Sequence, residues 1–138
     1  MVLFRRAGIT ALFAFIILVL SSSDLSLIRL KYDGGDWYND PDCLNILAKY
    51  INKNTELKVD TLQRVYEMSD TAIFNYPFLF MAGHGGILFN DAETSNLRNY
   101  LLSGGFLYID DDYGFRADAM RLMESIFPDR EIVKLPAD

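Results

Sequence analysis

Along this chain, short apolar runs alternate with stretches in which apolar residues recur every three or four positions. That is the pattern of strands alternating with helices. Leu25 to Tyr32 alternates in part and predicts a first strand, closed by Asp33-Gly34-Gly35-Asp36. Asp40-Pro41 reads as an N-cap with proline at the first helical position. Leu44, Leu47, Ala48 and Ile51 carry that helix to Lys53. Arg64 to Met68 predicts a short strand, and Ser69-Asp70 opens a helical turn through Phe74. Phe78 to Ala82 is apolar throughout, as a strand buried on both faces is, and stops at Gly83-His84-Gly85-Gly86. Asn90 and Glu93 have capping-box spacing, and Leu97, Tyr100 and Leu101 give the following helix its stripe. Ser103-Gly104-Gly105 ends that helix. Phe106 to Ile109 predicts another apolar strand, running into Asp110-Asp111-Asp112. Phe115, Ala119, Leu122, Met123 and Ile126 mark a third helix, stopped by Pro128, and Glu131 to Leu135 predicts a last short strand.

The order β-α-β-turn-β-α-β-α-β implies an α/β domain with a mostly parallel sheet and helices on both faces. Right-handed crossovers gather the strand-to-helix loops on one edge. In open sheets of this kind ligands bind at that edge, outside the carboxyl ends of the strands. Asp33–Trp37, Gly83–Gly86 and Asp110–Gly114 fall there. The chain ends at Asp138, just after the last predicted strand and with no closing helix. The domain is therefore expected to be truncated at its C-terminus.

The N-terminus follows another logic. Arg5 and Arg6 precede an apolar stretch from Ile9 to Leu20 and then Ser21, Ser22 and Ser23. This is the order of a secretory signal. The stretch is short against the roughly 20 residues of a spanning helix. Residues 1–23 are read as a signal peptide or an uncleaved membrane anchor, and 24–138 as one exported domain, periplasmic or extracellular. The only membrane association expected is through the N-terminal segment.

Hydrophobic residues make up 51% of the chain, which argues against disorder. Residues 24–138 carry a net −8, the whole-chain −6 less the +2 of Arg5 and Arg6. That sign repels phosphate backbones, so nucleic acid is not an expected partner. Cys43 is the single cysteine, which excludes an internal disulfide and a zinc site built on several cysteines.

Candidate chemistry collects on the loops. His84, the only histidine, is flanked by Gly83, Gly85 and Gly86, which let a ligand approach the backbone. It could act as a general base or a metal ligand, or only hold the loop in shape. Asp110, Asp111 and Asp112 could share a hard cation such as Mg²⁺ or Ca²⁺, cap the next helix, or lie solvated. Asp110, directly after the strand, is expected to point into the site. Asp33, Gly34, Gly35, Asp36 and Trp37 could bind a polar ligand such as a sugar, or form an Asp-Gly turn with a buried Trp. Tyr38 and Tyr113 could line the edge. Cys43, early in a helix, reads as packing more than as a reactive thiol.

Three segments carry a family resemblance. They are Lys31-Tyr32-Asp33-Gly34-Gly35-Asp36-Trp37-Tyr38-Asn39-Asp40-Pro41, Tyr76-Pro77-Phe78-Leu79-Phe80-Met81-Ala82-Gly83-His84-Gly85, and Gly104-Gly105-Phe106-Leu107-Tyr108-Ile109-Asp110-Asp111. Together they resemble the bacterial domain-of-unknown-function family 4159, over residues 26–138. The resemblance implies a flavodoxin-like three-layer α/β/α fold, similar to class I glutamine amidotransferases, and a domain that continues past Asp138. It implies no established activity. Such amidotransferases need a nucleophilic cysteine on a strand-to-helix turn, and here the corresponding turn carries glycine and histidine. The expectation is a non-catalytic envelope module that binds a small polar ligand or an envelope protein at the His84 edge. One alternative is a metal-assisted hydrolase using His84 and Asp110, with a divalent metal as its cofactor. The other is a structural or assembly domain without a ligand site.

Overall fold

The computed structural model describes residues 25–136, so the expected signal or anchor lies outside the described residues. The elements in order are β1 (Leu25–Lys31), α1 (Cys43–Asn54), β2 (Val59–Glu67), a 3₁₀ turn (Thr71–Asn75), β3 (Phe78–Gly83), α2 (Asp91–Leu102), β4 (Phe106–Asp111) and α3 (Arg116–Ile126). The strands form one parallel sheet in the order β2-β1-β3-β4. Consecutive strands turn one way from β1 and then the other, so the order reverses between β1 and β3. This is a flavodoxin-like α/β fold with its switch point at those two strands.

Alternation along each strand divides the core in two. Ile28, Leu30, Leu79 and Met81 pack with Leu97, Tyr100, Phe115, Leu122 and Ile126 beneath α2 and α3. Leu27, Phe80 and Ala82 pack with Leu44, Ala48 and Val59 beneath α1. Helix α1 lies over β1 and β2. On the β4 side of the same face Phe106 and Tyr108 stay exposed, stacked on Phe78 and Phe80 with ring centroids 5.7 and 5.9 Å apart.

Several assignments differ from the sequence reading, and β4 runs past Ile109 to Asp111. Strand β2 begins at Val59 rather than Arg64, pairing Leu25↔Val59 across a bulge between Ser26 and Ile28. It is an edge strand with Thr61 and Leu62 exposed, so its first half carries no apolar alternation. Helix α1 begins at Cys43, and Asp40 is not its cap but sits at φ +48° in the loop before it. The expected strand at Glu131–Leu135 does not form. Ile132, Val133 and Leu135 are exposed there, with no strand partner among the described residues, so nothing rewards an extended ladder.

The described helices include none long and apolar enough to cross a membrane.

Candidate functional site

The switch point is built by two glycine loops packed backbone on backbone. A side chain on Gly34 would collide with the Gly86 carbonyl, and one on Gly86 with the Gly34 carbonyl; both glycines have positive φ, at +88° and +78°. The Leu88 N–H donates to the Asp33 carbonyl at 2.8 Å and closes a short antiparallel bridge. Glycine at 83 leaves room for Tyr32, whose buried hydroxyl donates to the Ala82 carbonyl at 3.0 Å. Burial, then the negative charges of Asp36 and Asp118, pushes the Tyr32 phenol up to about 12.

This packing delivers His84 to Asp36. One carboxylate oxygen of Asp36 accepts the His84 backbone N–H at 2.9 Å. The other lies 2.6 Å from ring Nδ1. On the far side of the ring, Nε2 is 3.3 Å from a carboxylate oxygen of Asp112. The same oxygen accepts from the Asn39 side-chain amide at 2.5 Å. The three side chains His84, Asp36 and Asp112 are 48, 31 and 42% exposed. The hydrogen bond to Asp36, with its charge and that of Asp112, raises the His84 pKa above the ordinary histidine value. The His84 backbone N–H, then its ring, lowers that of Asp36.

The expected site residues divide accordingly. Asp36, Gly83, His84, Gly85, Gly86 and Asp112 meet at the edge, with Gly34 and Gly35 beneath them. Asp33 contributes its carbonyl. Trp37 packs against the α2–α3 core and its carbonyl faces inward to Arg29. Asp111 accepts from the Phe115 N–H at 2.7 Å and so ties down the residue just before α3. Asp110 pairs with Ala82 and so stands on the α1 face of the sheet, beside exposed Tyr108. Among the described residues, the carboxylates at His84 are Asp36 and Asp112. Tyr113 is exposed at the rim, and Tyr38 is exposed with its ring edge against Trp37.

Sequence reasoning missed Arg29, Asn39 and Asp118. Arg29 is 1% exposed in the middle of β1 on the α1 face. Its guanidinium donates to the carbonyls of Trp37 at 2.9 Å, Asn39 at 2.8 Å and Asp40 at 2.8 Å, and to Cys43 Sγ at 3.0 Å. It therefore holds the loop that presents Asp36 and Asn39 from inside the fold. A cation between Ile28 and Leu30 was the available signal, since an arginine in an apolar strand needs partners. Asp118, in the first turn of α3, accepts from the backbone N–H groups of Gly86 and Ile87 and pairs with Arg121 at 2.7 Å. Its spacing to Gly86 is set only by the fold, and nothing local announces it.

The family model for a domain of unknown function, DUF4159, matches residues 26–138. The chain belongs to that DUF4159 family. No curated protein matches the chain. In this DUF4159 chain the edge can position one imidazole between two carboxylates. Among the described residues, no group of three or more His, Cys, Asp or Glu side chains is arranged to hold a metal ion. Cys43 faces Arg29, and no nucleophilic cysteine or serine is bonded to His84 among the described residues.

Proposed function

We propose that this domain is an exported, amidotransferase-like module of the cell envelope that binds a small polar ligand at the His84 edge without covalent catalysis. The observation that carries this reading is the half-exposed His84 side chain at the switch point, its ring fixed through Nδ1 by Asp36, with no nucleophile bonded beside it among the described residues. A fixed ring whose second nitrogen has only the longer, 3.3 Å contact to Asp112 is a recognition group for hydroxyls, amides or amines that displace that carboxylate. The charge pattern narrows the ligand. The loop N–H groups of His84, Gly86 and Ile87, which would otherwise attract a phosphate or carboxylate, are taken by Asp36 and Asp118. A neutral or cationic ligand suits the edge better than an anion.

The test uses the fact that there is one histidine, hence one imidazole signal by NMR. Neutral sugars, amino alcohols, short peptides and inorganic phosphate are titrated separately. A neutral or cationic compound is expected to move the His84 signal saturably and to lose measurable binding in His84→Ala with the fold unchanged. Binding that survives in His84→Ala, or phosphate binding tighter than every neutral compound, overturns the reading.

A second reading rests on the Asp36–His84 pair itself. A carboxylate on Nδ1 is how a general base is oriented toward a water at Nε2. That hydrolase would use water as its nucleophile, and the donor arrangement gives its metal-assisted form no support. Hydrolysis of a glycosidic, ester or amide substrate, lost in both His84→Gln and Asp36→Asn, would favour it over simple binding.

A further inference from the structure

We propose that His84 is a two-handed clasp that ties the loop after β4 to the loop after β1, and that loss of its charge releases Asp112 and opens the strand-end edge. Nδ1 faces a carboxylate oxygen of Asp36 at 2.6 Å, and Nε2 faces one of Asp112 at 3.3 Å. Carboxylates only accept, so both contacts are attractive only when both nitrogens carry hydrogen. That species is the imidazolium. Neutral imidazole has one N–H. The shorter contact, reinforced by the His84 backbone N–H on the same carboxylate, keeps it on Nδ1. Nε2 then turns a lone pair toward the Asp112 carboxylate, and an attraction becomes a repulsion.

The surroundings determine which half gives way. Asp36 lies against the ring from the loop after β1, where Asp40 adds negative charge nearby, and Asp112 lies against it from the loop after β4. Tyr32 lies beneath at Gly83, its phenol neutral across the physiological range. From α3, Asp118 holds the backbone of the same loop at Gly86. No cation among these replaces the imidazolium. The loop after β1 is anchored from inside by Arg29, whereas Asp112 has, among the described residues, one other side-chain partner, the neutral amide of Asn39 at 2.5 Å. The loop after β4 is therefore the part that moves, bounded by Asp111 at the start of α3. In the closed form Asp112 covers the nitrogen that a ligand would use, so the edge carries its own competitor. The clasp stands whether or not the ligand-binding reading holds.

The experiment is a pH titration of the full chain followed by NMR. The imidazole carbon-bound protons of His84 and the backbone amides of Asp112, Tyr113 and Gly114 are read together. In the wild type, the three amides are expected to move with the same midpoint as the imidazole, and that midpoint to lie above 6.5. In Asp112→Asn the His84 midpoint falls, because one carboxylate is gone, and the amides no longer follow the imidazole. In Asp36→Asn the midpoint falls further, since the stronger contact is lost. Dispersion of the remaining amide spectrum checks that each variant folds. The proposal is overturned if the amides at 112–114 stay still while His84 titrates. It is also overturned if Asp112→Asn folds and leaves the His84 midpoint unchanged.

Discussion

At the scale of single residues, pH dependence follows from two opposed shifts. His84 is raised above 6.5 by its bond to Asp36, so its contribution to stability is fully present below 6.5 and is lost as pH rises through the higher folded value. Asp36 is lowered below 3.8 by the N–H groups of His84, so its contribution is present above 3.8 and is lost as pH falls through the lower folded value. The Tm difference between wild type and His84→Gln is therefore expected to be largest between about pH 4 and 6 and to shrink at higher pH. Thermal unfolding of both proteins across pH 4–9 checks this, and a difference that grows toward alkaline pH contradicts it. Arg29 is the other decisive residue. Arg29→Met keeps much of the side-chain volume but leaves the carbonyls of Trp37, Asn39 and Asp40 without their donor. The expected loss is about 2–4 kcal/mol by urea unfolding. Which aspartate meets the histidine was not legible in advance. Asp110, Asp111 and Asp112 are chemically alike, and their roles depend on β4 running one pair beyond Ile109, to Asp110 and Asp111. That extension sends Asp110 to the α1 face, Asp111 to the start of α3 and Asp112 to His84.

At the scale of elements, legibility tracked apolar pattern. Helices α2 and α3 announced themselves by apolar positions recurring with the helical period, and β3 and β4 by unbroken apolar runs, although β4 itself stays partly exposed. The Asn90–Glu93 capping box is present as its spacing implied. Replacing Asn90 with alanine is expected to cost about 1 kcal/mol. Edge strand β2 was read short because half of it buries little, and Glu131–Leu135 was read as a strand from composition that no neighbour uses. The turn between α2 and β4 separates two reasons for glycine. A side chain at Gly105 would strike the ring of buried Tyr100, whereas Gly104 has φ +97° and open space around it. Gly105→Ala is expected to cost about 1–3 kcal/mol through overpacking. Gly104→Ala costs about 1 kcal/mol through backbone strain alone. Denaturant midpoints that reverse this order would show that Tyr100 yields more easily than the packing suggests.

At the scale of the whole molecule, topology did what no single motif could. The alternation of strands and helices placed three loops on one edge, and the strand order brought two of them together at the switch point. Arg29 links that edge to the middle of the sheet. Surface loops ordinarily open many times for each global unfolding event. Residues 37–40 are tethered instead to a side chain that leaves only when β1 leaves the sheet. Amide hydrogen exchange of this loop is thus expected to slow to the rate of β1 itself, and in Arg29→Met to quicken toward that of an ordinary exposed loop. The strand-end edge and the core would then open as one cooperative unit, so substitutions beneath α1 would loosen the edge without touching it.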